Sequence, residues 1–264
     1  MNQYAVMGNP ISHSLSPLIH HFFAKQTGIA LQYDKIEVPI PLFEQYVFNF
    51  FKRPESKGLN ITLPFKERSF NMADWKSPQS QEAGAANTLW FKEGKLFADN
   101  TDGIGLIRDL KHYIELPNKT ILLLGAGGAA RGILGSLLAS RPKAIILSNR
   151  SMDKAVALKK MFPSIITCGL DALTDAYDII INATSASLQE KNMQLPENIL
   201  ANHPFCYDLA YNTTHKTPFV QWAINHGSQA VDGIGMLIEQ AAEAFNIWHH
   251  VMPDTSSCKK QLKS

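Results

Sequence analysis

Residues Thr120–Ser151 read TILLLGAGGAARGILGSLLASRPKAIILSNRS. An apolar run, Ile121–Leu124, meets the glycine turn Gly125-Ala126-Gly127-Gly128, and Ala129 leads into a small-residue helix opening. A second apolar run, Ala144–Leu147, ends in Ser148-Asn149-Arg150. The order is strand, turn, helix, strand, which is the order of a dinucleotide-binding unit. Gly125 permits the tight bend, and Gly127 lets the backbone approach a pyrophosphate with no Cβ in the way. The helix that follows offers unpaired N–H groups and the positive end of its dipole. Ala130 stands where the third glycine of the fingerprint usually sits, a variant that the motif accepts. Glycine clusters are common in ordinary turns, so the flanking strands and helix carry the reading.

The end of the second strand selects the cofactor. An NAD site places an acid on the ribose 2′-hydroxyl about 20 residues past the glycines. This chain has Asn149, Arg150 and Ser151 there, with Lys154 one turn later. A guanidinium can fork two donors onto a 2′-phosphate and stack on adenine, so NADP is expected. The plain alternative is a solvated basic turn. Asp153 reads as an acid in the first turn of the next helix.

The chain has 264 residues, 45% hydrophobic and 18% charged, with a formal net charge of +2. That size allows two domains. The charge is too small to suggest nucleic acid. No apolar run approaches the roughly 20 residues that span a bilayer, and no signal peptide is visible, so no membrane partner is expected. Lys259, Lys260 and Lys263 read as a frayed, solvated tail. Cys168, Cys206 and Cys258 have no close pair; they read as two buried thiols and one in the tail, in a reducing, cytoplasmic compartment. Neither the adjacent histidine pairs nor any HExxH or CxxC pattern supports a metal site, so none is expected.

About a hundred residues precede the nucleotide unit, and they alternate strand and helix signals of their own. Tyr4–Met7, Gln32–Val38 and Leu59–Leu63 read as strands. Leu42–Phe51 reads as a helix. Another begins at Ser16-Pro17, with Ser16 as N-cap, and stops at Gly28. After Arg150 the rhythm continues through helix Lys154–Phe162, strands Asp178–Ile181, Phe205–Leu209 and Gln229–Val231, and helix Pro218–His226. The last helix, Met236–Trp248, carries Leu237, Ala241, Phe245 and Trp248 along one stripe and is expected to pack back on the first domain. The fold class is therefore α/β: a substrate domain (1–101), a Rossmann-type domain (102–235) and a returning C-terminal helix with its tail (236–264). The active site is expected in the cleft between the domains.

Four polar clusters stand outside the nucleotide unit. Ser14 and Ser16 lie at a helix start, where hydroxyls and N–H groups suit a carboxylate; simple capping would explain Ser16 but not Ser14. Asn60 and Thr62 share one side of a strand end, and Lys66 follows in a first helical turn, where a cation is poorly placed for the dipole. Asn87 sits in one amide-rich loop and Asp102 in another, with helix capping as the plain alternative for Asp102. Gln240 is the long uncharged polar residue of the last helix; the plain alternative is a solvent-facing position. Lys, Asp, Asn, Ser, Thr and Gln without metal ligands suit a small polyhydroxylated carboxylate. They also suit hydride transfer at an alcohol carbon, where a proton must move on and off oxygen.

Eight motifs occur in family order: GNPISHSLSP (Gly8–Pro17), NITLPFK (Asn60–Lys66), GAANT (Gly84–Thr88), NTDG (Asn100–Gly103), GAGGAAR (Gly125–Arg131), SNRS (Ser148–Ser151), NATS (Asn182–Ser185) and DGIGMLIEQA (Asp232–Ala241). Together they resemble bacterial shikimate dehydrogenase. The resemblance implies reversible reduction of 3-dehydroshikimate to shikimate by NADPH, in aromatic amino-acid biosynthesis. It assigns Lys66 and Asp102 as the catalytic pair and Ser14 and Ser16 to the substrate carboxylate. Asn60, Thr62, Asn87, Asp102 and Gln240 fall around the ring hydroxyls, with Tyr211 at the same pocket. Gly125, Ala126, Gly127, Gly128, Ala129, Asn149, Arg150, Ser151, Lys154, Thr184 and Gly233 fall to NADP. Small-molecule substrate and cofactor are the implied partners, in a monomer or homodimer. The family often has glycine at Ser187 and proline at Thr213. An NAD-linked quinate/shikimate dehydrogenase and a non-catalytic NADP-binding sensor are the competing readings, and Arg150 with an intact Lys66 and Asp102 argues against both.

Overall fold

The computed structural model describes residues 1–174, 176–184 and 195–263. Ser185 and Ser187 lie outside the described residues. The chain divides into two compact units, Met1–Gly105 with Leu237–Ser264, and Leu106–Met236.

The first unit opens with β1 (Asn2–Gly8), α1 (Ser16–Thr27), β2 (Leu31–Glu37), α2 (Phe43–Phe51), β3 (Ser56–Ile61) and α3 (Lys66–Met72). Then come β4 (Trp75–Lys76), α4 (Pro78–Ala83), the hairpin β5 (Thr88–Lys92) and β6 (Lys95–Asp99), and α5 (Asp102–Leu110), whose first four residues belong to this unit and the rest to the second. Its six-stranded sheet runs β2-β1-β3-β5-β6-β4. β1 pairs parallel with β2 and β3, while β3, β5 and β6 pair antiparallel in turn. One face carries Ala5, Met7, Leu59 and Ile61, buried with Val47, Phe50 and Phe65. The opposite face carries Tyr4, Tyr33 and Asn60. Gly58 lies in that row because Trp248 occupies its side-chain space; a Cβ there would run into the indole.

The second unit holds β7 (Thr120–Leu124), α6 (Gly128–Ala139), β8 (Ala144–Ser148), α7 (Met152–Met161), β9 (Ile166–Cys168), β10 (Ile179–Asn182), β11 (Phe205–Asp208), α8 (Pro218–Asn225) and β12 (Ala230–Val231). Its sheet runs β12-β11-β10-β7-β8-β9 with every pair parallel. That is a doubly wound Rossmann order, with the strand order reversing between β7 and β10. Ile121, Leu123, Ile179 and Ile181 are buried on one face and Leu122, Leu124 and Ile180 on the other, as a sheet covered on both sides requires. Finally α9 (Ile234–His249) and α10 (Thr255–Lys263) bring the chain back to the first unit. Among the described residues no helix is long and apolar enough to cross a membrane.

Three expectations need correction. The N-cap of α1 is Leu15, and Ser16 makes no capping bond; its own N–H is taken by Ser14 Oγ at 3.3 Å and its side chain is buried. The supposed frayed tail is α10, started by Asp254, whose Oδ1 accepts from Ser256 N at 3.1 Å. Gln26 anchors that start by accepting from Asp254 N at 2.8 Å. The thiols are also redistributed: Cys258 in this helix and Cys206 on β11 are both buried, while Cys168 is half-buried.

Candidate active site

Sheet register builds the substrate side. Asn60 on β3 pairs with Thr88 on β5, and Thr88 pairs with Asp99 on β6, so the two strand ends and the loop after β6 deliver polar groups to one row. α3 starts at Lys66 and α5 at Asp102. Lys66 Nζ donates to Asp102 Oδ2 at 2.5 Å, with the two side chains 17% and 8% exposed. A pair this buried gives up much of its attraction to desolvation, so stability alone is a poor reason to place it here.

Asn87 organises the cluster. Its Nδ2 donates to Asp102 Oδ1 at 2.9 Å, to Thr101 Oγ1 at 2.9 Å and to Gln240 Oε1 at 3.2 Å. Its Oδ1 accepts from Thr101 N and from Thr88 Oγ1, each at 2.9 Å. Both Asp102 oxygens therefore face side-chain donors, a use that capping does not explain. Gln240 is buried rather than solvent-facing, and Gly105 makes room for it: a Cβ there would stand 2.8 Å from Gln240 Cβ. The NTDG loop is held from behind. Asn100 Nδ2 donates to Ala85 O at 3.0 Å, and Asp99 accepts from Asn100 N at 2.6 Å and from the Ser77 hydroxyl. Burial pushes the Asp99 carboxyl above its ordinary value, against the pull of those two donors.

Asn60 is engaged on three sides. Its Oδ1 accepts from Tyr33 Oη at 2.7 Å, while Nδ2 donates to Asn87 O at 3.2 Å and Thr88 Oγ1 at 3.1 Å. With both N–H groups spent, what Asn60 can offer a substrate is the second lone pair of Oδ1, an acceptor for a hydroxyl. Thr62 lies just past β3, half-buried, its N–H on Met7 O at 2.9 Å and its methyl against Gly8. Ser14 and Ser16 hydroxyls meet at 3.2 Å.

The expected nucleotide residues lie in the second unit. Gly125 has φ 100, and a Cβ there would stand 3.0 Å from Ala183 C and O and Thr184 Cγ2, so only glycine suits both the turn and the contact. Beside Gly127 and Gly128 the side-chain space is open, and α6 begins without a side-chain cap, followed by Ala129. Those are the features of an anion site on backbone N–H groups. Asn149 Oδ1 accepts from Ala126 N at 3.2 Å and its Nδ2 donates to Ser151 O at 2.8 Å, tying the turn to the end of β8. Arg150, Ser151 and Lys154 are exposed there, and Asp153 is in the first turn of α7. The residues fit a phosphorylated dinucleotide. Gly233 N donates to Ala210 O at 3.0 Å, and a Cβ on it would run into Leu209 O. Tyr211 follows β11 in that loop, half-buried, with Thr213 beside it.

Two groups went unread in the sequence. Buried Asp208 Oδ1 accepts from Asn182 Nδ2 at 2.9 Å and from Ala210 N at 3.1 Å, and its Oδ2 from Thr217 Oγ1 at 2.6 Å. Asn182 in turn accepts from Thr184 Oγ1 at 2.7 Å. The signal was an aspartate closing the apolar strand FCYD. The other is Tyr33, whose signal was a tyrosine on the inward face of an alternating strand, where the hydroxyl needs a partner.

Family models match three successive stretches: shikimate dehydrogenase substrate binding domain over residues 6–89, shikimate / quinate 5-dehydrogenase over 109–211, and shikimate 5'-dehydrogenase C-terminal domain over 233–263. The shikimate dehydrogenase (NADP(+)) of Legionella pneumophila (strain Lens) is 53% identical over 264 residues, covering 100% of this chain and 99% of that protein. The chain belongs to the shikimate dehydrogenase family. Shikimate 5-dehydrogenase from Thermus thermophilus, solved with NADP(H) and shikimate, superposes with TM-score 0.90 at 32% identity, over 100% of this chain and 99% of that one. An Ael1 enzyme from Pseudomonas putida superposes with TM-score 0.92 at 42% identity, again over 100% and 99%. As a member of the shikimate dehydrogenase family the chain is an NADP-type oxidoreductase with a Rossmann unit, and the NAD-linked quinate reading is not favoured.

Proposed function

We propose that this chain catalyses the reversible, NADP-dependent interconversion of 3-dehydroshikimate and shikimate. The observation that carries the reading is the largely buried Lys66–Asp102 pair held by Asn87. An ammonium has three N–H donors, and Asp102 takes one, so two remain for the oxygen of the reacting carbon. When bound, NADP supplies hydride acceptance or donation at its nicotinamide. In the alcohol-to-ketone direction the Lys66 ammonium stabilises charge developing on that oxygen, and it takes the hydroxyl proton as it passes one of its own to Asp102, which releases it to solvent. Asp102, fixed at both oxygens, orients the ammonium and accepts from a neighbouring hydroxyl. Ser14 and Ser16 take the carboxylate, and Asn60, Thr62, Asn87 and Gln240 hold the ring hydroxyls, with Tyr211 completing the substrate set.

Gly125–Ala129, Thr184 and Gly233 would hold the nucleotide backbone, and Asn149, Arg150, Ser151 and Lys154 its adenosine 2′-phosphate. The test is reduction of NADP and of NAD at 340 nm, each with shikimate and with quinate. Turnover confined to shikimate with NADP supports the proposal. Comparable rates with quinate or NAD replace it by the dual-substrate reading. Absent turnover with NADP still bound leaves a sensor.

A further inference from the structure

Tyr33 belongs to no assigned site, yet it is fully buried and its hydroxyl stands between two groups of substrate-binding residues. It lies on β2, the edge strand, and its ring reaches across β1 to Asn60 on β3. Oη donates to Asn60 Oδ1 at 2.7 Å, and the Ser16 hydroxyl lies close enough to oppose the rise that burial imposes on the phenol. Below, the ring stacks on His20 at 4.2 Å between centroids and 7° between planes, with Trp248 6.5 Å away, so the phenol has little freedom to turn.

The donors form one directed line. Tyr33 donates to Asn60, Asn60 to Thr88, Thr88 to Asn87 and Asn87 to Asp102, where Lys66 closes the line from the other side; the hydrogen-bonded Ser14–Ser16 pair lies beside its Tyr33 end. Each donor polarises the next, and each fixes its neighbour's orientation. Asn60 is the amide most exposed to error, since a flip exchanges its acceptor for donors. A flip would aim Asn60 Oδ1 at Asn87 O and turn an N–H toward Tyr33.

We propose that Tyr33 is a positioning residue of the substrate site. It holds the Asn60 amide in the acceptor-out orientation and thereby keeps the carboxylate-holding serines in register with the ring-hydroxyl site. The inference rests on the proposed shikimate reaction. Tyr33 touches neither Lys66 nor Asp102, so its effect falls on substrate binding and not on the chemical step.

The test is Tyr33→Phe, with the KM for shikimate, the KM for NADP and kcat measured together. Loss of one buried hydrogen bond and of the amide's orientation predicts a rise of about tenfold in shikimate KM, with kcat and NADP KM within about twofold. Tyr4→Phe is the control: it removes a phenol hydroxyl from the same row of the adjacent strand and leaves all three constants unchanged. In an Asn60→Ala background, adding Tyr33→Phe raises shikimate KM no further, because the path through Asn60 is already gone. An unshifted shikimate KM in Tyr33→Phe overturns the proposal, as does a fall confined to kcat, or an additive double variant. Lack of turnover by the parent chain in the same assay removes the shikimate reading and this inference with it, whereas a working parent with an unshifted variant removes only the role of Tyr33.

Discussion

Asn87 and Asp102 are joined by a 2.9 Å hydrogen bond in which the amide donates to Oδ1, leaving Oδ2 to the Lys66 ammonium at 2.5 Å. One carboxylate is thus held at both ends, and neither oxygen is free to rotate away without breaking a contact. Asn87→Ala leaves Asp102 Oδ1 and Gln240 Oε1 short of a buried donor. We expect kcat/KM for shikimate to fall about a hundredfold, with a stability loss of roughly 1–3 kcal/mol by urea titration. Retained kcat/KM would show that Lys66 alone holds Asp102 in place.

In the proposed mechanism, Lys66→Ala removes the cation next to the reacting oxygen. The expected fall in kcat is about 10²–10³-fold, with shikimate KM changed far less. Asp102→Asn lowers kcat/KM comparably, and the pH profile of the reaction changes in both variants. Steady-state kinetics across pH 6–10 reads all three effects. Near-normal turnover in Lys66→Ala would sink the assigned role.

The nucleotide unit was legible because its signals are local: Ile121–Leu124, the glycines and Asn149-Arg150 lie within one continuous stretch, and β7, α6 and β8 form where the pattern places them. Long-range pairing hid the rest. Leu89–Leu96 shows no alternation strong enough to announce a hairpin, because β5 and β6 gain their place from pairing with β3 and β4. Ser16 has the residue type of a cap, but the cap position falls one residue earlier, at Leu15, and the Ser16 hydroxyl is engaged by Ser14. Asn87 meets Gln240 across 153 positions and Tyr33 meets Asn60 across 27, distances over which spacing carries no information. Lysines made α10 look like a solvated end, although its other face buries Cys258.

Arg150 is exposed at the end of β8 with Ser151 and Lys154 beside it. On the proposed reading its guanidinium meets the 2′-phosphate, far from the hydride, so Arg150→Ala should raise the KM for NADP about tenfold and leave kcat nearly unchanged. The preference for NADPH over NADH should fall by a similar factor. Kinetics with both cofactors decides it; an unchanged preference would move phosphate recognition away from Arg150.

Acid should destabilise the first unit through His20. Burial, and next the neighbouring His249, hold the imidazole down to about 3 against an ordinary value of 6.5, with Asn60 opposing. Below pH 6.5 the unfolded chain therefore binds a proton that the folded chain refuses. Stability falls as pH drops, by up to about 1.4 kcal/mol per pH unit between the two values. His249, also held low by burial, adds to the same slope. His226, raised by its bond to Trp222 O, acts in the opposite sense, but it is only partly buried and is screened by solvent. His20→Phe retains an aromatic ring against Tyr33 and cannot titrate, so its melting temperature should decline less between pH 6.5 and 5 than that of the parent. Thermal melts at half-unit steps measure the difference. Parallel curves for the two proteins would mean that His20 is protonated in the folded state, and the acid sensitivity would then belong to other groups.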